Sequence, residues 1–283
     1  MRKEKTLREL NLEDDFMFAK VMMDEEICKS VLERILGFPI QKIRLLENQK
    51  TIENVVESKG VRLDVYVTDE NNNVFNVEMQ RTNKEHLPRR SRYYQANMDL
   101  DLILKGERYE KLPPTYIIFI CTFDLYNQGR HVYSFANYCE QDKLIPMGDA
   151  TKKIFVNTRG TLDDIDVEMK QFLKYVEHSN EEVANGIKSE FLNKIHQKVE
   201  SVRISKEAEL EYMTLLMREQ EKFEEGRQEG RQEGIQEGRQ EGREEERIKI
   251  AKKMLQKGND VETIIEMTEL SREKVESLLK EIN

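Results

Sequence analysis

Two carboxylates and one amide stand out by type and spacing. In the stretch VRLDVYVT, residues 61–68, an extended chain puts Val61, Leu63, Val65 and Val67 on one side and Asp64 on the other, with Arg62 and Tyr66. In VFNVEMQ, residues 74–80, Phe75, Val77 and Met79 share one side, and Asn76, Glu78 and Gln80 share the other. If the apolar sides meet one core, Asp64 and Glu78 project together from the opposite side with Gln80 beside them. Paired carboxylates suit a hard divalent cation that prefers oxygen ligands, Mg²⁺ or Mn²⁺. A cation held there can polarise a phosphoryl oxygen, activate water and stabilise a departing oxygen. Ordinary polar-out alternation on a half-exposed sheet gives the same pattern, and alternation alone does not separate the two.

The elements that must position these residues follow from periodicity. Apolar steps of three and four through Phe16, Ala19, Met23, Ile27, Val31 and Ile35 predict a helix from Asp14 to about Gly37, closed by Gly37 and Pro39. Lys42 to Leu46 is a short strand candidate, and the polar run from Asp69 to Asn73 turns residues 61–68 and 74–80 into a hairpin. A second helix is expected from Leu87 to about Lys105, and Tyr116 to Thr122 reads as a strand buried on both faces. A helix between the hairpin and a later strand implies a mixed sheet with helices packed on it. Beyond Asp124, Phe155–Asn157 suggests an edge strand, and Asp166–His178 and Glu181–Ser201 suggest helices. The second helix carries Arg89, Arg90, Arg92, Tyr93, Tyr94 and Gln95, a local basic and aromatic cluster suited to phosphate contacts. The alternative is a solvated helix face with one tyrosine in the core.

Composition narrows the function classes. A net charge of -9 in 283 residues argues against coating nucleic acid by bulk charge, so phosphate binding must use local basic patches or a metal. Cys28, Cys121 and Cys139 form no close pair and read as small buried hydrophobes. The four histidines show no metal-ligand spacing, although His86 lies near enough in sequence to approach the site. No apolar run is long enough for a membrane span, and the N-terminal stretch lacks a signal-peptide core. The expected setting is the reducing cytoplasm.

The order of elements, with Asp64 on the second strand and Glu78-Met79-Gln80 on the third, resembles the PD-(D/E)XK nuclease superfamily, with Gln80 where that pattern has lysine. The stretches LEDDFMFAKVM, RLDVYV, FNVEMQR, RRSRYYQ, KGERYEKLPPTYIIFI and IFVNTRG resemble more narrowly the recombination-promoting nuclease (Rpn) family of transposase-like proteins, in which E-x-Q is usual. The resemblance implies an α/β, restriction-endonuclease-like mixed sheet flanked by helices (helix, three strands, helix, strand), followed by a helical C-terminal extension. It implies a metal-dependent DNA endonuclease associated with recombination or mobile elements, hydrolysing phosphodiesters with Mg²⁺ (or Mn²⁺). Asp64, Glu78 and the Met79 carbonyl would hold the metal, Gln80 would position the water, and Asp15 would be an accessory acid. Arg90, Arg92, Tyr94 and Gln95 would contact DNA. The alternative is a nuclease fold with weak catalysis, acting as a DNA-binding, regulatory or oligomerisation module through its tail.

Three segments are expected: a nuclease-like domain over 1–204, a charged linker over 205–246 and a small helical cap over 247–283. In the linker, E-G-x-Q repeats place Gly226, Gly230, Gly234, Gly238 and Gly242 four residues apart, a bare stripe on a helix between Glu and Arg columns. A helix that orders on self-association is the expectation, giving a homo-oligomer through the tail. Met213 and Met217 just upstream allow a self-derived C-terminal fragment to pair with the full chain. Three short helices fit residues 248–282, and VETIIEMTELSREKVESLL has helix-turn-helix proportions with Ser271 as N-cap, although its second helix is not strongly basic.

Overall fold

The computed structural model describes residues 5–52, 61–83, 86–186 and 188–282. Its centre is the hairpin of β2 (Val61–Asp69) and β3 (Val74–Gln80). Asp69 closes the turn: its Oδ1 accepts from the N–H groups of Asn71 (2.9 Å) and Asn73 (2.8 Å). Asn72 takes the left-handed conformation the turn needs, φ 61°. β1 (Ile43–Ile52) pairs antiparallel with β2 and runs well past the short segment expected from sequence.

α3 (Leu87–Leu102) provides the crossover that lets β4 (Thr115–Cys121) lie parallel to β3. β5 (Val132–Phe135) and β6 (Thr151–Asn157) complete a six-stranded sheet of order β1-β2-β3-β4-β6-β5. β6 is parallel to β4 and antiparallel to β5. The segment 155–157, expected as an edge strand, is therefore interior, and β5 is the edge. That pairing depends on a return of the chain through 136–150, which local periodicity does not encode.

Helices cover both faces. Met17, Phe18, Ile27 and Val31 from α1 (Asp15–Met22) and α2 (Glu25–Leu36) pack on Val65, Val67, Phe75, Val77 and Ile118, together with Phe172 of α4 (Val167–Glu177) and Ile195 of α6 (Glu190–Ile204). On the other face Leu87, Tyr94 and Met98 of α3 pack on Tyr66, Ile117 and Phe119. This is the restriction-endonuclease-like mixed sheet flanked by helices, with the order helix, strands, helix, strand. The helix expected from Asp14 to Gly37 is two helices, because Asp24 starts a new one by accepting from the Ile27 N–H at 3.3 Å. The helix expected over 181–201 resolves into α5 (Glu181–Ala184) and α6, with Ser189 capping the second. Residue 187 of that stretch lies outside the described residues.

The chain divides into two compact units, Met1–Tyr212 and Met213–Asn283. A single helix, α7 (Lys206–Gln256), contains the whole glycine repeat. In the second unit the end of α7 packs with α8 (Val261–Thr268) and α9 (Arg272–Ile282) around Ala251, Leu255, Ile264, Leu270, Val275 and Leu278. Ser271 caps α9 as expected, accepting from the Lys274 N–H at 3.3 Å. Among the described residues no helix is long and apolar enough to cross a membrane.

Candidate active site

The site lies where two strands stop pairing. The β2–β3 ladder runs from Thr68↔Val74 to Val65↔Val77. Side chains make the contacts of the next rung: the Asp64 N–H donates to Glu78 Oε1 at 3.1 Å, and the Met79 N–H donates to Asp64 Oδ2 at 3.4 Å. On the other side of Asp64 the β1 register steps from Asn48↔Val65 to Lys50↔Leu63, with Gln49 between them in the left-handed region at φ 54°. This fork also changes which core the strand serves: Val61 and Leu63 pack with Tyr66 under α3, while Val65 and Val67 pack on the opposite face. The sequence reading placed all four valine and leucine side chains together, an expectation that fails because β2 parts from β3 at Asp64.

Glu78 is fully buried, and so is its neighbour Asn76. The side of β3 expected to meet solvent is covered by α3. Glu78 Oε1 also accepts from Asn76 Nδ2 at 3.1 Å, and Oε2 accepts from Arg90 Nη2 at 2.8 Å. Arg90 reaches further, donating from Nη1 to Gln80 Oε1 (3.2 Å) and from Nε to Tyr94 Oη (2.6 Å). Burial, then the charge of Asp64, raises the Glu78 carboxyl well above the usual carboxylate range, and Arg90 offsets only part of this. Asp64 is raised by burial and then by Asp15, against the Met79 N–H, Arg90 and Arg62. Burial and the Glu78 charge push the Tyr94 phenol up to about 12, so it stays a neutral hydroxyl.

An open cleft of about 1020 Å³ gives access to the fork. Asp15, Arg62, Asp64, Met79, Gln80 and Arg90 are among the residues lining it. Asp64 therefore faces a cleft with arginines on its walls, with Glu78 buried just behind it, inside a protein of net charge -9.

A family model described as PD-(D/E)XK nuclease family transposase matches residues 13–229, well over half the chain. The chain belongs to this family. A second model, described as the Rpn/YhgA-like nuclease family C-terminal HTH domain, matches residues 244–280, which hold the end of α7, α8 and α9. No curated protein and no solved structure matches the chain.

For a PD-(D/E)XK nuclease family member, the donor set can be tested against the divalent cation that the family implies. Among the described residues, no three His, Cys, Asp or Glu side chains gather closely enough to enclose a metal ion. Two carboxylates are nevertheless a fitting set, because Mg²⁺ is commonly held by one or two, with water and phosphate oxygens completing its shell. Burial first, then a neighbouring carboxylate, raises both Asp64 and Glu78, and a cation at the fork would favour their ionised forms. The residues present fit the group.

The remaining expectations divide cleanly. Asp15, at the start of α1, reaches the cleft because Asp14 anchors that turn: its carboxylate accepts from Asn11 N–H (2.8 Å) and Lys5 (2.9 Å) and is paired with Arg81 at the end of β3. Arg90 donates to Glu78, and Tyr94 holds Arg90 by accepting from its Nε. Arg92 is exposed and outside the cleft lining, and Gln95 is buried elsewhere, donating to Thr115 Oγ1 (2.5 Å) and Asp99 (2.9 Å). Arg90 and Tyr94, about one turn apart, share the inner face, whereas Arg92, two residues from each, points to nearly the opposite side and Gln95 is turned about 100° from Tyr94. Arg89 and Tyr93 of the expected basic and aromatic cluster do line the cleft, whereas Arg62, Arg81 and Thr82 are wall residues to which the sequence reading gave no role. For Arg62 a signal existed, its place two residues before Asp64. His86 does reach the cleft, at φ 79° before the first turn of α3. Cys28 and Cys121 are buried as expected, and Cys139 is only partly so.

Proposed function

We propose that this chain is a metal-dependent DNA endonuclease that hydrolyses phosphodiester bonds, associated with recombination or mobile elements. The observation that carries this reading is the buried Glu78 beside a half-buried Asp64 at the end of a strand ladder, with Asp64 opening into an arginine-walled cleft. Asp64, Glu78 and the Met79 carbonyl would hold Mg²⁺ or Mn²⁺. Such a cation supplies polarisation of the phosphoryl oxygen and an acidified water. Gln80, on the cleft lining beside Met79, orients the attacking water through its amide. Asp15 adds acceptor capacity beside Asp64, and Arg62, Arg89 and Arg90 grip the phosphates flanking the scissile bond. Hydrolysis needs only these parts, whereas strand transfer would require a second DNA end to be placed.

DNA binding by the second unit belongs to the same reading. Arg243, Arg247, Ser271 and Lys274 line one shallow pocket at the start of α9 together with Glu244 and Glu269, the latter paired with Arg247, and the family match to an HTH domain supports a groove-entering role for that helix. Self-association through α7, with a full chain or with a fragment begun at Met213 or Met217, is supported by the glycine stripe, where an added Cβ would meet nothing within 4 Å at any of the five positions. The weak-catalysis alternative is favoured by Gln80, which brings no charge where the superfamily pattern has lysine.

The test is plasmid nicking and linearisation by wild type and Asp64→Asn in Mg²⁺, Mn²⁺ and EDTA. Metal-dependent cutting reduced by about 100-fold or more in the variant is expected, the scale on which metal-ligand and outer-shell losses act. DNA binding without cutting in any metal would establish the alternative.

A further inference from the structure

Arg90 occupies an unusual place among the arginines of the cleft, because it makes its ion pair with a proposed ligand of the cation. A carboxylate offers about four lone-pair directions. Three of those on Glu78 are taken, by the Asp64 N–H, Asn76 Nδ2 and Arg90 Nη2. The first two donors belong to the strands and cannot leave without unmaking the fork. Arg90 can: it extends from the first turn of α3, its remaining contacts are hydrogen bonds to the side chains of Gln80 and Tyr94 and the faces of the Tyr94 and Phe119 rings, and its side chain is 34% exposed against none for Glu78.

Charge counting points the same way. With both carboxyls ionised, as cation binding requires, Asp64 and Glu78 carry two negative charges between them, and Arg90 is the positive group paired with Glu78. A divalent cation placed on the pair would turn the local balance positive and repel the guanidinium, and one phosphodiester would restore neutrality. Arg81 has no such freedom, since it is paired with Asp14, away from the two ligands.

We propose that Arg90 is the placeholder of the site, holding Glu78 in the metal-free protein, yielding it to the divalent cation and carrying its charge to a substrate phosphate. Cation and DNA then bind with positive coupling through one side chain. This rests on the nuclease reading and adds an order of events and a residue responsible for it.

The experiment uses the full chain and needs no turnover. Mn²⁺ binding without DNA is followed by titration calorimetry and by the electron paramagnetic resonance signal of free Mn²⁺, for wild type, Arg90→Ala and Asp64→Asn. Arg90→Ala should bind Mn²⁺ about tenfold more tightly than wild type, and binding of a non-cleavable phosphorothioate duplex, strengthened about tenfold by Ca²⁺ in wild type, should lose that strengthening in the variant, both within the usual range of site coupling. Unchanged or weaker Mn²⁺ binding by a folded Arg90→Ala chain overturns the proposal while leaving the nuclease reading intact. If Arg90→Ala does not fold by thermal melting, Tyr94→Phe, which releases only the Nε tether, should tighten Mn²⁺ binding about two- to threefold, a small coupling of the same sign; no change overturns the proposal. Wild type with no Mn²⁺ binding sensitive to Asp64→Asn overturns both.

Discussion

Asp64 and Glu78 make the protein less stable where they would make it useful. Both carboxyls are raised in the folded chain by burial first, Glu78 then by the charge of Asp64 and Asp64 by that of Asp15, with Arg90 opposing at both and Arg62 at Asp64. Between the unfolded value near 4 and the raised folded values, the folded chain holds more protons than the unfolded one, so stability from this pair falls as pH rises through that window. In EDTA, the melting temperature of wild type relative to Asp64→Asn should therefore decline from pH 5.5 to pH 8. Excess Mg²⁺ should remove most of the decline, and a difference independent of pH would refute the account. Gln95 supplies a contrasting case: Gln95→Ala should cost about 1–2 kcal/mol in urea denaturation, because it takes away the partners of a buried Thr115 and of Asp99. At this scale the alternation of VRLDVYV and VFNVEMQ was enough to find Asp64, Glu78 and Gln80. Their burial was not legible, since alternation reads the polar side of a strand as exposed and cannot know that α3 covers it. Arg90 on Glu78 joins residues twelve apart through a helix placement that no local period carries.

Among the elements, α7 combines two opposed demands. Five glycines four residues apart each cost a helix about 1 kcal/mol relative to alanine, and each faces open space in the single chain. Replacing Gly230, Gly234 and Gly238 with alanine should raise helicity by circular dichroism and, if two such helices meet on this stripe, weaken self-association by about tenfold or more in sedimentation, in line with the close approach that only small residues permit. Raised helicity with unchanged association would remove the stripe as the contact. Strong periodicity made the helices legible in type, and turn residues such as Asp69–Asn73 fixed the hairpin. Boundaries set by distant partners were not legible: the extra length of β1, the break at Asp24, and the interior position of β6 all depend on pairing or capping seen only in the folded chain.

For the whole molecule, an acidic chain that binds DNA must do so through few contacts, and salt measures how many. Each phosphate neutralised contributes about -0.9 to the slope of log affinity against log salt, so Arg62→Ala with Arg89→Ala should flatten the slope by about 2 without altering the preference among duplex sequences. An unchanged slope would place both side chains outside the DNA contact. The fork itself bears on how such a molecule could cease to cut. Among the described residues, Glu78 receives three hydrogen bonds, one from a main-chain N–H that the sheet leaves over, whereas Asp64 receives a single long one from Met79. Losing Glu78 strands a peptide group and an arginine as well as the chemistry; losing Asp64 costs the fold little. A lineage drifting from cutting toward binding would shed the aspartate and keep the glutamate, so an inherited glutamate at the fork says that the sheet is intact, and only the aspartate says that the blade is.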